Sequence, residues 1–230
     1  MKLFYRSSLA TIVLVLFSGI FGITDARAQN PLPEILKRME VNRTSMTSLR
    51  SSIKMEKYNA QLKEKDVSEG STIYLPGKGR DASVRIDWTK PVQETLSVVN
   101  KKYVSYTPRR GQAITGNANE AKGSGKANNA LSFMNMSKEQ LKANYTIKYL
   151  GQEKVSGGVP TWRLELTPKN ATNFKMAEIW VDGDGMPIQT KVVEKNNDTT
   201  TILLSGLEKN ANINRSQFEV ILPKGTKVVK

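Results

Sequence analysis

The stretch VRIDWTKPVQETLSVVNKKYVSYTPRR, residues 84–110, decides the fold class of this chain. Apolar residues such as Val84, Ile86 and Trp88 alternate with polar ones along it. A period of two is typical of strands that bury one face. Proline and an Asn-Lys-Lys run divide the stretch, so it predicts three consecutive strands joined by short turns.

The same period recurs on both sides of this stretch and predicts a meander of about ten strands. The other predicted strands are 48–56, 71–75, 145–150, 161–167, 176–181, 187–194, 199–205 and 217–223. The Asp-Gly-Asp-Gly run at 182–185 lies between two of them and is typical of a hairpin turn. Such a pattern predicts a mainly β (α+β) fold: one strongly curved antiparallel sheet with helices on its concave side.

Helical patterns are confined to two places. Residues 30–46 predict an amphipathic helix whose apolar face carries Leu32, Ile35, Leu36 and Met39. Residues 128–143 predict one or two short helices, with Ser137 and Gln140 as a capping box. The intervening segment 111–130 is rich in Gly, Ala and Asn and predicts a long mobile loop.

The N-terminus resembles an export signal. Lys2 and Arg6 precede the apolar run 8–23, and Ala-Arg-Ala at 26–28 is typical of a cleavage site. We therefore expect residues 1–28 to be removed and 29–230 to form a single domain in the periplasm. A retained membrane anchor is the alternative, although the apolar run is short for a spanning helix.

The chain contains no Cys and no His, which limits its chemistry. These absences exclude thiol nucleophiles, thiolate zinc sites, disulfides, lipidation on cysteine and imidazole chemistry. We expect neither an enzyme nor a bound metal or cofactor.

Removal of residues 1–28 lowers the formal charge from +14 to +12, because Lys2, Arg6 and Arg27 leave together with Asp25. This charge favours acidic partners, but it also fits an ordinary solvated surface, since the lysines are spread along the chain. The export signal argues against nucleic acid.

The apolar residues leave two interpretations open. Trp88 lies on a predicted strand, and Phe133, Met134 and Met136 lie on the middle helical segment. These side chains pack an ordinary core in one interpretation. In the other they line an adaptable apolar cavity between a curved sheet and a helical cover, because Met fits varied ligand shapes.

Several motifs resemble those of the periplasmic outer-membrane lipoprotein carriers, the LolA-like family. They are VRIDWTKP, ETLSVVNKKYVSYTP, LSFMNMSKEQLKANYTIKYLG, WRLELTPKN and the closing segment from IWVDGDG to the C-terminus. Their order and spacing match the family from about residue 31 onward. The resemblance implies an incomplete barrel covered by short helices, and a monomer that carries lipoprotein acyl chains to the outer membrane. It also implies an inner-membrane transporter that releases the cargo and an outer-membrane acceptor.

The resemblance gives the predicted site its residues. The strand side chains Ile53, Ile86, Trp88 and Ile179 are expected to line the cavity, and Leu36, Phe133, Met134 and Met136 are expected to cover it. Arg85 lies where some family members carry an arginine, although the Arg-Pro latch of those members has no clear counterpart here. Unbroken alternation around Arg85 favours an outward side chain for a surface contact or partner docking, whereas a bulge would turn it into a lid latch.

An envelope sensor or regulatory lipid-binding module is the alternative function, because proteins with one fold perform different functions. The sequence favours the carrier, since one domain fills the predicted mature chain.

Overall fold

The computed structural model describes residues 30–77, 82–118, 131–155 and 157–230. The predicted export signal at 1–28 lies outside these ranges. No helix within them is long and apolar enough to cross a membrane.

Within the described ranges, twelve strands form one curved sheet that does not close into a barrel. The strands are β1 (Leu49–Asn59), β2 (Glu64–Leu75), β3 (Ser83–Lys90), β4 (Glu94–Val99), β5 (Lys102–Thr107), β6 (Gln112–Asn117), β7 (Tyr145–Lys154), β8 (Pro160–Pro168), β9 (Phe174–Val181), β10 (Pro187–Glu194), β11 (Thr199–Lys209) and β12 (Lys227–Val229). Their order across the sheet is β12-β6-β5-β4-β3-β2-β1-β11-β10-β9-β8-β7. The predicted fold class is confirmed.

In the described part of the chain, α1 (Leu32–Ser45) and α2 (Lys138–Asn144) accompany the sheet, and a 3₁₀ turn at Ser132–Asn135 precedes α2. Pro33 lies in the first turn of α1, where its missing N–H costs no helical hydrogen bond. Met46 then turns to extended backbone and ends the helix. The predicted capping box is present at the start of α2, because Ser137 and Gln140 exchange hydrogen bonds.

The buried apolar residues form two groups. The first, here called the β3 cluster, includes Ile53, Met55, Tyr74, Val84, Ile86, Trp88, Leu96 and Val98 from β1–β4. The second, the α1 cluster, includes Ile35, Leu36 and Met39 of α1 with Leu141, Leu164, Leu166, Ala177, Ile179 and Val181. The sheet residues named here share one face, called the inner face below, because cross-strand pairs place them side by side.

The segment 111–130 is only partly what its composition predicts. Residues 112–117 form β6, which pairs with β5 and, in parallel, with β12. The prediction of a loop throughout was wrong here, because backbone pairing outweighs the weak strand propensity of Gly and Asn. Residues 119–130 lie outside the described ranges. The parallel β12–β6 pair also departs from the predicted purely antiparallel sheet.

The predicted strand at 217–223 was also wrong. Arg215–Phe218 is a 3₁₀ turn, and the chain remains irregular until β12. Its apolar alternation matches a strand, but Asn214 and Gln217 exchange side-chain hydrogen bonds in a capping box that closes the turn instead.

The turn between β9 and β10 fixes α1 on the sheet. Asp182 accepts hydrogen bonds from the backbone N–H groups of Asp184 and Met186, at 3.0 and 2.8 Å. Gly185 has a φ of +87°, and a Cβ at this position would lie 2.3 Å from the carbonyl oxygen of Arg38 in α1. Only glycine allows this close approach of turn and helix.

Gly185→Ala is expected to lower the free energy of unfolding by about 2–4 kcal/mol, through left-handed strain and a backbone clash together. Urea unfolding followed by circular dichroism measures this. Gly157→Ala is the matched control, because Gly157 has a φ of +89° with nothing within 4 Å of the added Cβ. The control variant has the left-handed backbone strain without the clash, so its free energy of unfolding should fall by about 1 kcal/mol. Equal losses in the two variants would contradict the close contact.

Candidate functional site

The inner face of β1–β4 is built in rows that run across the strands. Leu49, Tyr74, Val84 and Val98 form the first row, and Ser51, Thr72, Ile86 and Leu96 form the second. The third row contains Ile53, Gly70 and Trp88 and ends at the half-buried Glu94 of β4, whose carboxylate accepts a hydrogen bond from the Ser105 hydroxyl. Successive inward positions are two residues apart along each strand, and most of these positions carry apolar side chains. The rows form a continuous surface suited to hydrocarbon.

Residues 131–144, here called the lid, lie over the boundary between the two clusters. Leu131 and Met134 pack into the β3 cluster. Phe133 packs into the α1 cluster, and Met136 packs against it. Neighbouring side chains of one short segment thus cover both halves of the inner face.

Polar contacts attach the lid to α1. The carboxylate of Glu40 accepts a hydrogen bond of 3.0 Å from the backbone N–H of Lys138, the first residue of α2. The guanidinium of Arg43 donates to the same carboxylate, with Nε at 3.1 Å from Oε2. The Arg43 hydrogen bond, together with that from Lys138, holds the pKa of Glu40 below its usual value although burial opposes this. Glu40 therefore carries its negative charge at the positive end of α2, where a helix favours an anion.

The structure divides the eight predicted cavity residues between the two clusters. Ile53, Ile86, Trp88 and Met134 belong to the β3 cluster. Leu36, Phe133 and Ile179 belong to the α1 cluster, and Met136 packs against it. Seven of these side chains are at most 4% exposed, so they are buried within their clusters. Their role in lining a ligand cavity stays a prediction.

Two polar residues of the inner face were missed by sequence reasoning. Tyr74 and Ser51 are 2% and 3% exposed, and within the described part of the chain neither Tyr74 Oη nor Ser51 Oγ has a hydrogen-bond partner. In β2, Ile73, Tyr74 and Leu75 are all apolar or aromatic, so alternation alone does not say which of them faces inward. The signal for Ser51 was its place between Leu49 and Ile53, which fixes its side of the strand.

Arg85 points to the opposite, outer face of the sheet. Its guanidinium makes two contacts with the Asp87 carboxylate, at 2.8 and 3.0 Å. It also donates to the backbone carbonyls of Gln217 and Glu219, at 3.0 and 3.1 Å. These contacts are with the C-terminal part of the chain rather than with the lid. The predicted docking of a partner at Arg85 stays a prediction.

The segment 214–219, here called the strap, lies along the outer face of β3 and β4. Phe218 is 3% exposed there, and its carbonyl accepts a hydrogen bond from the Ser97 hydroxyl. Beside the strap is a groove of about 270 Å³ lined by Arg50, Ser71, Thr72, Ile73, Arg85, Asp87 and Gln217. Its arginines are engaged, since Arg50 pairs with Glu208 and Arg85 with Asp87. Arg85 therefore holds the strap on the sheet.

The model of the family "Outer membrane lipoprotein carrier protein LolA" matches residues 78–221, more than half of the chain. The chain belongs to this LolA family. LolA-like proteins are binding or carrier proteins of the bacterial envelope, and they bind lipids or lipoproteins.

Two solved structures illustrate what this LolA-family chain is similar to, both at low sequence identity. An uncharacterized conserved protein from Thermus thermophilus is 15% identical with a TM-score of 0.53, over 86% of this chain and 98% of that one. A putative outer membrane lipoprotein-sorting protein domain from Vibrio parahaemolyticus is 13% identical with a TM-score of 0.45, over 80% and 94%. No curated protein sequence matches this chain at a significant level.

Arg85→Leu is expected to leave the affinity for a fluorescent fatty-acid probe unchanged, because Arg85 lies on the face opposite to the apolar rows. Loss of its charge-assisted bonds should speed hydrogen exchange at strap residues 217–219 by about five- to thirtyfold. Exchange followed by mass spectrometry and a probe titration measure the two effects.

Arg50→Leu is the matched control, since Arg50 lines the same groove but pairs with Glu208 instead of the strap. It should change neither quantity. A large change in probe affinity for Arg85→Leu, with the thermal midpoint preserved, would instead support the lid-latch interpretation.

Proposed function

We propose that this protein is a periplasmic carrier that shelters the acyl chains of lipoproteins and escorts them to the outer membrane. The observation that supports this most is the covered inner face. A broad apolar surface lies under a short lid, and Glu40 attaches that lid through polar contacts. Acyl chains would replace the lid side chains against the sheet.

The free energy of exposing lipid explains the need for shelter. Each acyl CH₂ left in water costs about 0.8 kcal/mol, so a multiply acylated protein costs tens of kcal/mol. Leu49, Ile86 and Leu96 are each 0% exposed in the closed state, which shows how well this surface excludes water. Apolar contact with such a surface offsets the cost for the cargo.

A carrier must also release what it binds. Contacts between hydrocarbon and apolar side chains have no fixed direction, so an acyl chain can leave in steps and cross to another apolar surface. The lid can then close over the inner face and restore the burial of Met134 and Phe133. Under this proposal, an inner-membrane transporter loads the open protein and an outer-membrane acceptor unloads it.

Trp88→Asp tests the proposal. A carboxylate at position 88, which is 4% exposed, would lie uncompensated among apolar side chains, which costs several kcal/mol. The expected result is loss of binding to a diacylated lipopeptide, measured by fluorescence titration. Val92→Asp is the control, because Val92 is 43% exposed and should tolerate the charge.

Thermal midpoints of both variants show whether they remain folded. Wild-type protein that binds no acylated ligand would refute the carrier proposal. So would folded Trp88→Asp protein that binds as well as wild type.

A further inference from the structure

Three hydrogen-bonding groups on the inner face have no partner among the residues that the structure describes. They are Tyr74 Oη, Ser51 Oγ and Trp88 Nε1, and each atom is fully buried. Their residues are 2%, 3% and 4% exposed. Buried polar groups in folded proteins nearly always have a partner, so three exceptions on one face require an explanation.

The three groups follow the rows of the inner face. Tyr74 is in the first row, Ser51 in the second and Trp88 in the third, so they lie at successive levels along the strands. Rows are about 7 Å apart, which spreads the groups over about 13 Å. A ligand lying along the strands would meet each of them in turn.

The chemistry of the groups defines their ligand. An indole N–H only donates, and hydroxyls of Tyr and Ser donate readily. Burial raises the pKa of the Tyr74 phenol, so this group keeps its proton. All three therefore suit an acceptor oxygen.

A neutral acceptor fits better than a charged one. A buried carboxylate needs a cation, and the cation that acts on Tyr74 is Arg43, which is already hydrogen-bonded to Glu40. The carbonyl oxygen of an ester or amide carries no net charge and needs only donors.

We propose that Tyr74, Ser51 and Trp88 bind the ester or amide carbonyls of an acylated ligand once the lid has moved. This inference rests on the carrier proposal and deepens it, because it names the polar part of the cargo that the inner face recognises. The unpaired groups make the closed empty state less favourable, and a carbonyl-bearing ligand satisfies them. A hydrocarbon without a carbonyl forms no hydrogen bond with these groups.

Tyr74→Phe tests this inference, because it removes one oxygen and leaves the ring. Competition against N-phenyl-1-naphthylamine, a dye without a carbonyl, measures affinity for methyl palmitate, palmitate and hexadecane. The affinity for methyl palmitate should fall about three- to tenfold, the usual value of one neutral hydrogen bond. The affinity for hexadecane should not change, and the thermal midpoint should not fall.

Tyr149→Phe is the matched control, since Tyr149 is a tyrosine of β7 that packs against the α1 cluster, away from the three rows. Trp88→Phe provides a second variant that removes the indole N–H. Like Tyr74→Phe, it should lower the affinity for methyl palmitate more than the affinity for hexadecane.

The outcomes separate the two proposals. Wild type that binds none of the ligands refutes the carrier function and this inference together. If wild type binds them, but Tyr74→Phe and Trp88→Phe change the affinities for hexadecane and methyl palmitate equally, the inference alone is refuted. A larger loss for palmitate than for its methyl ester would also overturn it, because it would show recognition of a carboxylate.

The source of the ester is identified with two further ligands. A diacylglyceryl-cysteine peptide and a short-chain phosphatidylglycerol carry the same two esters. A loss of affinity in Tyr74→Phe for either one supports the inference and identifies the source, and a loss for neither overturns it.

Discussion

A curved sheet that does not close must cover its apolar face with something else, and this constraint governs the molecule. The inner rows of β1–β4 and the apolar side chains of β8 and β9 form this face, and the apolar side chains of α1 cover the part that belongs to β8 and β9. The lid solves this by lying on the boundary, with Met134 in one cluster and Phe133 in the other. A few lid residues therefore complete the cover of the inner face.

The two faces of the sheet are held by different forces. Burial of apolar surface, which has no preferred direction, covers the inner face. On the outer face, Arg85, Ser97 and backbone carbonyls hold the strap by directional hydrogen bonds. The inner cover can thus rearrange around varied ligands while the outer strap keeps the strands β3 and β4 in place.

Much of this architecture could be predicted from the sequence. Alternation at 84–110 gave β3, β4 and β5, and the family motifs gave the open sheet with helices. The C-terminal strap could not be predicted, because the 217–223 pattern fits a strand and only long-range contacts with Arg85 and Ser97 place it elsewhere. For the site, the period of two predicted the apolar rows but not the buried hydroxyls of Tyr74 and Ser51. Whether Tyr74 Oη has a partner depends on the packed tertiary structure.

Under the proposed carrier function, the lid must move before the inner face can take a ligand. The chain has no cysteine, so a pair introduced by Glu40→Cys and Lys138→Cys can form only one disulfide within the protein. The two positions are neighbours, because the Glu40 carboxylate lies 3.0 Å from the backbone nitrogen of Lys138, and a mobility shift on a non-reducing gel verifies that the disulfide forms. The account predicts that the oxidised protein takes up a diacylated lipopeptide far more slowly than wild type, and that reduction restores uptake. Equal uptake by the oxidised and reduced forms would contradict it.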